Sequence, residues 1–104
     1  MQNNFIEATQ NKTPEYLKFR KELFETTILD MVEHICEELI NHDKLVVAYN
    51  VDDKKASITI KVPKKNIRDI VGKRSETLIA IKKLAFSVAN KHDFYLTIRL
   101  EELC

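Results

Sequence analysis

The chain carries a single glycine in 104 residues, where an average composition would be about 7% glycine. Proline occurs twice and tryptophan is absent. These shortages exclude several classes. Dinucleotide-binding and P-loop folds need several glycines at fixed spacing, and neither pattern is present. Collagen-like, low-complexity and β-helical chains fall for the same reason. No apolar run of about 18 residues exists, so no membrane span is expected. The opening MQNNFIEATQ has neither the basic nor the apolar region of a secretory leader, so none is expected. The two cysteines, Cys36 and Cys104, are far apart. They read as free thiols of a cytosolic chain, with a bridge between them left open. His34 and Cys36 lie two apart on a predicted helix and face apart, and His42 and His92 add no ligand spacing; neither a metal nor a cofactor is expected. The acid pairs Glu37-Glu38, Asp52-Asp53 and Glu101-Glu102 are sequence neighbours whose side chains diverge, and no nucleophile elbow or triad motif occurs. The chain is therefore read as non-enzymatic.

Apolar residues make up 44% and charged residues 32%. That supports one domain with a modest core and is too apolar for disorder. The net charge of +1 conceals a segregation. Residues 1–60 hold 7 basic and 11 acidic residues, residues 61–92 hold 9 and 2, and residues 93–104 hold 1 and 3. A basic stretch inside an acidic chain is the footprint of a polyanion site, although a solvated charged face gives the same count.

Residues 1–12 read as a loose arm. Thr13, Pro14 and Glu15 form a helix start: a cap, a proline at the first position and an acid in the first turn. Phe24, Ile28, Val32, Ile35 and Leu39 then recur at helical spacing. A helix over 14–41 would be about 42 Å long, and Thr27 with Asp30 resembles a capping box, so a break near 25–27 is expected. Asn41 is expected to end this helix and Asn90 a later one, each in place of a capping glycine. Residues 45–51 and 56–62 alternate as strands around a four-residue connection, 52–55. Within 45–51, Leu45, Val47, Tyr49 and Val51 share a face. Pro63 can open a short helix over 64–71, with Ile67, Ile70 and Val71 on its apolar side. Ser75 is a candidate cap for a second helix whose stripe is Leu78, Ile81, Ala85 and Val88. Residues 94–100 alternate as a last strand. Two helices between strands leave enough chain for a crossover, so strands 56–62 and 94–100 are expected to be parallel neighbours. The predicted fold is α+β, ordered α-β-β-α-α-β, with a three-stranded mixed sheet and helices packed on one face.

Gly72 sits at the end of the first short helix, where glycine is commonly a plain C-cap. Here Lys73 and Arg74 follow at once, and Ser75 then begins the second helix. Two cations at a helix N-terminus make a phosphate contact, compatible with the cap. The run Ile70-Val71-Gly72-Lys73-Arg74-Ser75-Glu76-Thr77-Leu78 resembles the Gly-x-x-Gly loop of KH domains, a loop that clamps about four backbone nucleotides. The element order is similar to the bacterial type II KH fold over about residues 27–102. The resemblance is closest to small single-KH RNA-binding proteins of the KhpA kind, and 71–91 is also similar to the KH part of their larger partner, the Jag/KhpB family. One position departs: Ser75 stands where the family has its second loop glycine.

The resemblance implies a KH domain at 27–104 behind an N-terminal, partly helical extension, 1–26. It implies a cytoplasmic RNA-binding module that contacts single-stranded RNA through Gly72, Lys73 and Arg74, through the amide and hydroxyl of Ser75, and through the amide of Glu76. Ile67, Ile70 and Val71, with Ile58 or Ile60 from the central strand, would line an apolar groove. Lys64, Lys65 and Arg68 would extend the positive surface, as would Lys82 and Lys83 further along. A homodimer, or a heterodimer with a Jag/KhpB-like protein, is implied as well. The substitution at Ser75 and the acidic first 60 residues keep a second reading open: a degenerate KH fold serving protein interaction or ribosome assembly, with weak or no RNA binding.

Overall fold

A computed structural model of the protein describes residues 13–40 and 44–103. Helix α1 spans Pro14–Phe24, with Thr13 Oγ1 accepting from the Tyr16 amide at 3.1 Å as its N-cap. No break follows. A π-helical turn, Glu25–Leu29, carries the chain straight into α2, Asp30–Leu39. The side chains explain the widened turn. Thr26 Oγ1 donates back to the Glu22 carbonyl at 3.0 Å and Thr27 Oγ1 to that of Leu23 at 2.6 Å. Hydroxyls that bond the preceding turn loosen its backbone ladder. Thr27 therefore does not cap a new helix. Beyond the turn the buried row runs Leu29, Val32, Cys36 and Ile40, while Leu39, expected on the stripe, is 38% exposed. Helix α2 stops there, and Ile40 turns extended (φ −128°, ψ 98°) and stays buried against the core. Asn41, expected to end the helix, lies outside the described residues, as does Cys104.

Strands β1 (Val46–Asp52) and β2 (Lys55–Val62) pair antiparallel, with Val46 opposite Lys61 and Asp52 opposite Lys55. The connection is shorter than expected: Asp53 and Lys54 alone make it, because both strands extend a residue into the turn. Asp53 takes the positive φ (54°) that glycine would otherwise supply. Strand β2 alternates strictly, with Ala56, Ile58, Ile60 and Val62 buried. A 3₁₀ turn, Lys64–Asn66, and the short helix α3, Ile67–Val71, follow Pro63. A second 3₁₀ turn, Lys73–Ser75, leads into the long helix α4, Glu76–Lys91. Strand β3, Tyr95–Glu102, returns parallel to β2, with Ile58 beside Ile98 and Val62 beside Glu102. The sheet order is β1-β2-β3. This is the α+β architecture, mixed sheet and connection expected from the strand and helix periods.

One hydrophobic core lies between the sheet and the helices. Phe24, Ile28, Val32, Ile58, Ile60, Val62 and Ile70 are fully buried there. Helix α1 joins it through Phe24, whose ring packs edge-on against Phe94, centroids 5.4 Å apart, and stacks with Tyr49 at 6.0 Å. Arg20 is 6% exposed. Its guanidinium donates to the carbonyls of His92 at 3.0 Å and Asp93 at 2.7 Å, and lies 4.0 Å from the Phe94 ring centre. It thus closes the C-terminal end of α4, where the helix dipole favours a cation. The left-handed residue at that end is Asp93 (φ 62°) rather than Asn90, because α4 continues to Lys91. Asp93 Oδ2 also accepts from Lys54 Nζ at 2.9 Å.

Cys36 is a buried free thiol. Burial, then the nearby Glu33 and Glu37 carboxylates, push its pKa up to about 11, so the protonated, unreactive form prevails at neutral pH. Among the described residues no cluster of His, Cys, Asp or Glu could hold a metal, and no helix is long and apolar enough to cross a membrane.

Candidate nucleic-acid interface

The loop between α3 and α4 is built from three residues with positive φ: Gly72 (76°), Arg74 (57°) and Ser75 (62°). Gly72 ends α3 by donating its amide to the Arg68 carbonyl at 2.8 Å. Its φ of 76° with ψ of 176° belongs to glycine alone. The space is also taken. A Cβ at Gly72 would lie 2.1 Å from Thr77 Oγ1 and 2.5 Å from Thr77 Cβ. The glycine is required by the fold, as cap and as packing partner of Thr77. The sequence pattern alone does not show Thr77's part, because it depends on how tightly α4 folds back over the loop.

Ser75 occupies the N-cap position of α4 with a left-handed backbone (φ 62°, ψ 14°), not the extended one of a capping serine, and makes no side-chain capping bond. The amides proposed to meet phosphate are engaged within the turn: Ser75 N–H donates to the Gly72 carbonyl at 3.2 Å and Glu76 N–H to that of Lys73. The hydroxyl of Ser75 is left as its free donor. Arg74 and Ser75 each hold a conformation that costs an L-residue about 1–2 kcal/mol, so the loop is held in a strained form by its surroundings. Lys73, Arg74, Ser75 and Glu76 are all exposed. Neither Lys73 nor Arg74 has an acidic partner among the described residues, in contrast to Lys54 on Asp93.

Beside the loop runs an open groove of about 690 Å³. Its walls include Lys64, Ile67, Arg68, Val71, Gly72, Arg74 and Ser75, together with Glu102 from the end of β3. The structure therefore brings together seven of the predicted site residues from three segments. Ile70 is not among them: it is fully buried and belongs to the core, as do Ile58 and Ile60. Lys65 is exposed but does not line the groove. Lys82 and Lys83 lie on α4 beyond it. Glu102 was not singled out by sequence reasoning, which treated it as half of an acid pair. The signal was there in the alternation Leu96, Ile98, Leu100, which carries residue 102 to the helix-covered face.

The arrangement offers donors and positive charge for phosphate oxygens on one rim and an apolar strip, Ile67 and Val71, for a flat ring beside it. Such a pairing of charge with an apolar face suits single-stranded nucleic acid.

This geometry is that of a KH domain, a fold that serves as an RNA-binding module. The family described as KhpA/KhpB, KH domain, matches residues 29–100, and the chain belongs to it. No curated protein and no solved structure matches the chain.

Proposed function

We propose that the chain binds the sugar-phosphate backbone of single-stranded RNA at the loop 72–75, with low sequence specificity from the loop itself. The observation that carries this reading is the pair Lys73 and Arg74. Both are exposed and without acidic partners among the described residues, on a strained turn at the N-terminal end of α4, and Arg74 lines the groove. The Ser75 hydroxyl adds a donor, and Lys64 and Arg68 continue the positive rim, with Lys65 next to them. In this reading Gly72 acts chiefly by keeping the turn in shape. Residues 27–104 form the RNA-binding unit, 1–26 are an addition to it, and the protein acts in the cytoplasm without catalysis. A homodimer, or a pair with a Jag/KhpB-like protein, is part of the same proposal, and a solution mass tests it.

The deciding experiment is salt-dependent binding of a fluorescent single-stranded RNA. Lys73→Asp/Arg74→Asp is expected to lose at least about tenfold in affinity at low salt. It should also lower the slope of log affinity against log salt by about 1.4, two single-strand phosphate contacts at about 0.7 each. Its unfolding midpoint should stay near that of the parent, since aspartate tolerates positive φ. Gly72→Asp is a poor test, because the clash with Thr77 would disturb the fold itself. A parent protein that binds no RNA at low salt would overturn the proposal and leave the protein-interaction reading.

A further inference from the structure

Glu102 is the one carboxylate lining a groove whose other charged walls are Lys64, Arg68 and Arg74. It is exposed and has no hydrogen-bond or ion-pair partner among the described residues, so these cations leave it uncompensated. Its position is well defined. Val62, its neighbour in β2, is fully buried, and the Leu103 amide donates to the Val62 carbonyl at 2.8 Å, tying down the end of β3. The two-residue period that buries Ile98 and half-buries Leu96 and Leu100 puts Glu102 on the same face, where the covering helices give way to the groove.

Lysine and arginine side chains donate and cannot accept. Where they hold phosphates they carry no information about the base, and they cannot accept from a base's donor groups. The ionised carboxylate is the reverse, an acceptor only, with two oxygens side by side. In a groove that offers Ile67 and Val71 to the face of a ring, it is the group placed to read an edge. Guanine presents two adjacent donors there, N1–H and the N2 amino group, which match two carboxylate oxygens. Adenine and cytosine each present one amino group beside a ring-nitrogen acceptor. Uracil presents one N–H flanked by two carbonyl oxygens, which a carboxylate repels.

We infer that Glu102 is a specificity-determining residue of this site: its carboxylate selects guanine in the groove and disfavours uracil. The inference rests on the RNA-binding reading above. The test is anisotropy at one fixed salt concentration with labelled hexanucleotides, UUUUUU and the three variants carrying one G, A or C at the third position. The parent protein should bind the G-containing hexamer about tenfold more tightly than UUUUUU, the lower part of the range for a bidentate edge contact. The A and C variants should fall between. Glu102→Gln should bring the four affinities within about twofold of one another, with UUUUUU bound as well as before or better. Equal binding of the four by the parent, or a Glu102→Gln variant that tightens all four alike and keeps their ratios, overturns base selection and leaves RNA binding standing. Failure of both proteins to bind any hexamer overturns the RNA reading and this inference with it.

Discussion

Helix α4 has one end closed by the fold and one end left to solvent. At its C-terminal end a buried guanidinium from α1, seventy-odd residues earlier in the chain, bonds the carbonyls of His92 and Asp93 and lies against Phe94. Lys54 adds a second cation on Asp93. At its N-terminal end the cap residue makes no side-chain bond, and two cations stand exposed on a strained turn. Each end places a non-glycine residue in the left-handed region, Asp93 and Ser75, both at φ 62°. The same local geometry thus serves opposite purposes. One pole of the helix dipole is neutralised inside the protein, and the other is left open to solvent, where the proposed RNA phosphate would meet it. Stability and binding should accordingly separate when the two ends are mutated.

The largest effect is expected at the closed end. Arg20→Ala removes two bonds from a charged donor and the contact with Phe94, and should cost about 3 kcal/mol of unfolding free energy. The remaining folded protein should bind RNA as before. Urea unfolding beside an RNA titration checks both halves; a loss of RNA affinity in the folded variant would break the separation. Next is Gly72→Ala at the open end. It should cost about 2–3 kcal/mol through backbone strain and the clash with Thr77, which makes Gly72 the one position of the loop where stability and binding fall together. Ser75→Gly should gain about 0.5–1 kcal/mol by releasing a left-handed serine. Its RNA affinity should hold or rise; a large loss would show that the Ser75 hydroxyl carries binding. The smallest effect is Lys54→Ala. The hydrogen bond from Lys54, then its charge, hold the Asp93 carboxyl below its ordinary 3.8. The contribution is therefore present above that pH and fades as pH falls through the lowered value. The same pair raises Lys54 above its ordinary 10.5, so the contribution is also present below that pH and is lost as pH rises through the raised value. Since both groups are exposed, unfolding at pH 7 should hardly change, with a slightly weaker pH dependence in acid as the detectable sign.

Much of this architecture is legible in the sequence. The strict alternation of residues 56–62 and the spacing of Leu78, Ile81, Ala85 and Val88 are local signals that burial respects, and two helices between strands imply the parallel crossover. The loop was legible too, because a lone glycine followed by Lys73-Arg74 before a helix is a compact pattern. Other features depend on partners distant in sequence. Arg20 reads as one more charged residue of a polar helix, and nothing near it signals that His92 and Asp93 will meet it. The need for Gly72 comes from Thr77 across the turn, and the place of Glu102 comes from its register with Val62. The break expected near 25–27 failed for a different reason. Thr27 and Asp30 fit a capping pattern, but the hydroxyls of Thr26 and Thr27 had carbonyls of the preceding turn within reach, and the chain widened instead of stopping.

That widened turn, Glu25–Leu29, also sets the rotational phase between two rods. Each residue of an α-helix turns the next by about 100° and advances it about 1.5 Å. Removing one residue from the turn would leave α1 helical and as long as before, but rotated by roughly a quarter circle against α2. Phe24 would swing out of the core, and the Arg20 guanidinium would no longer face the end of α4. The turn works as the adjusting joint that lets a helix begun ahead of residues 29–100, the stretch the family matches, arrive with the correct side chain pointing inward.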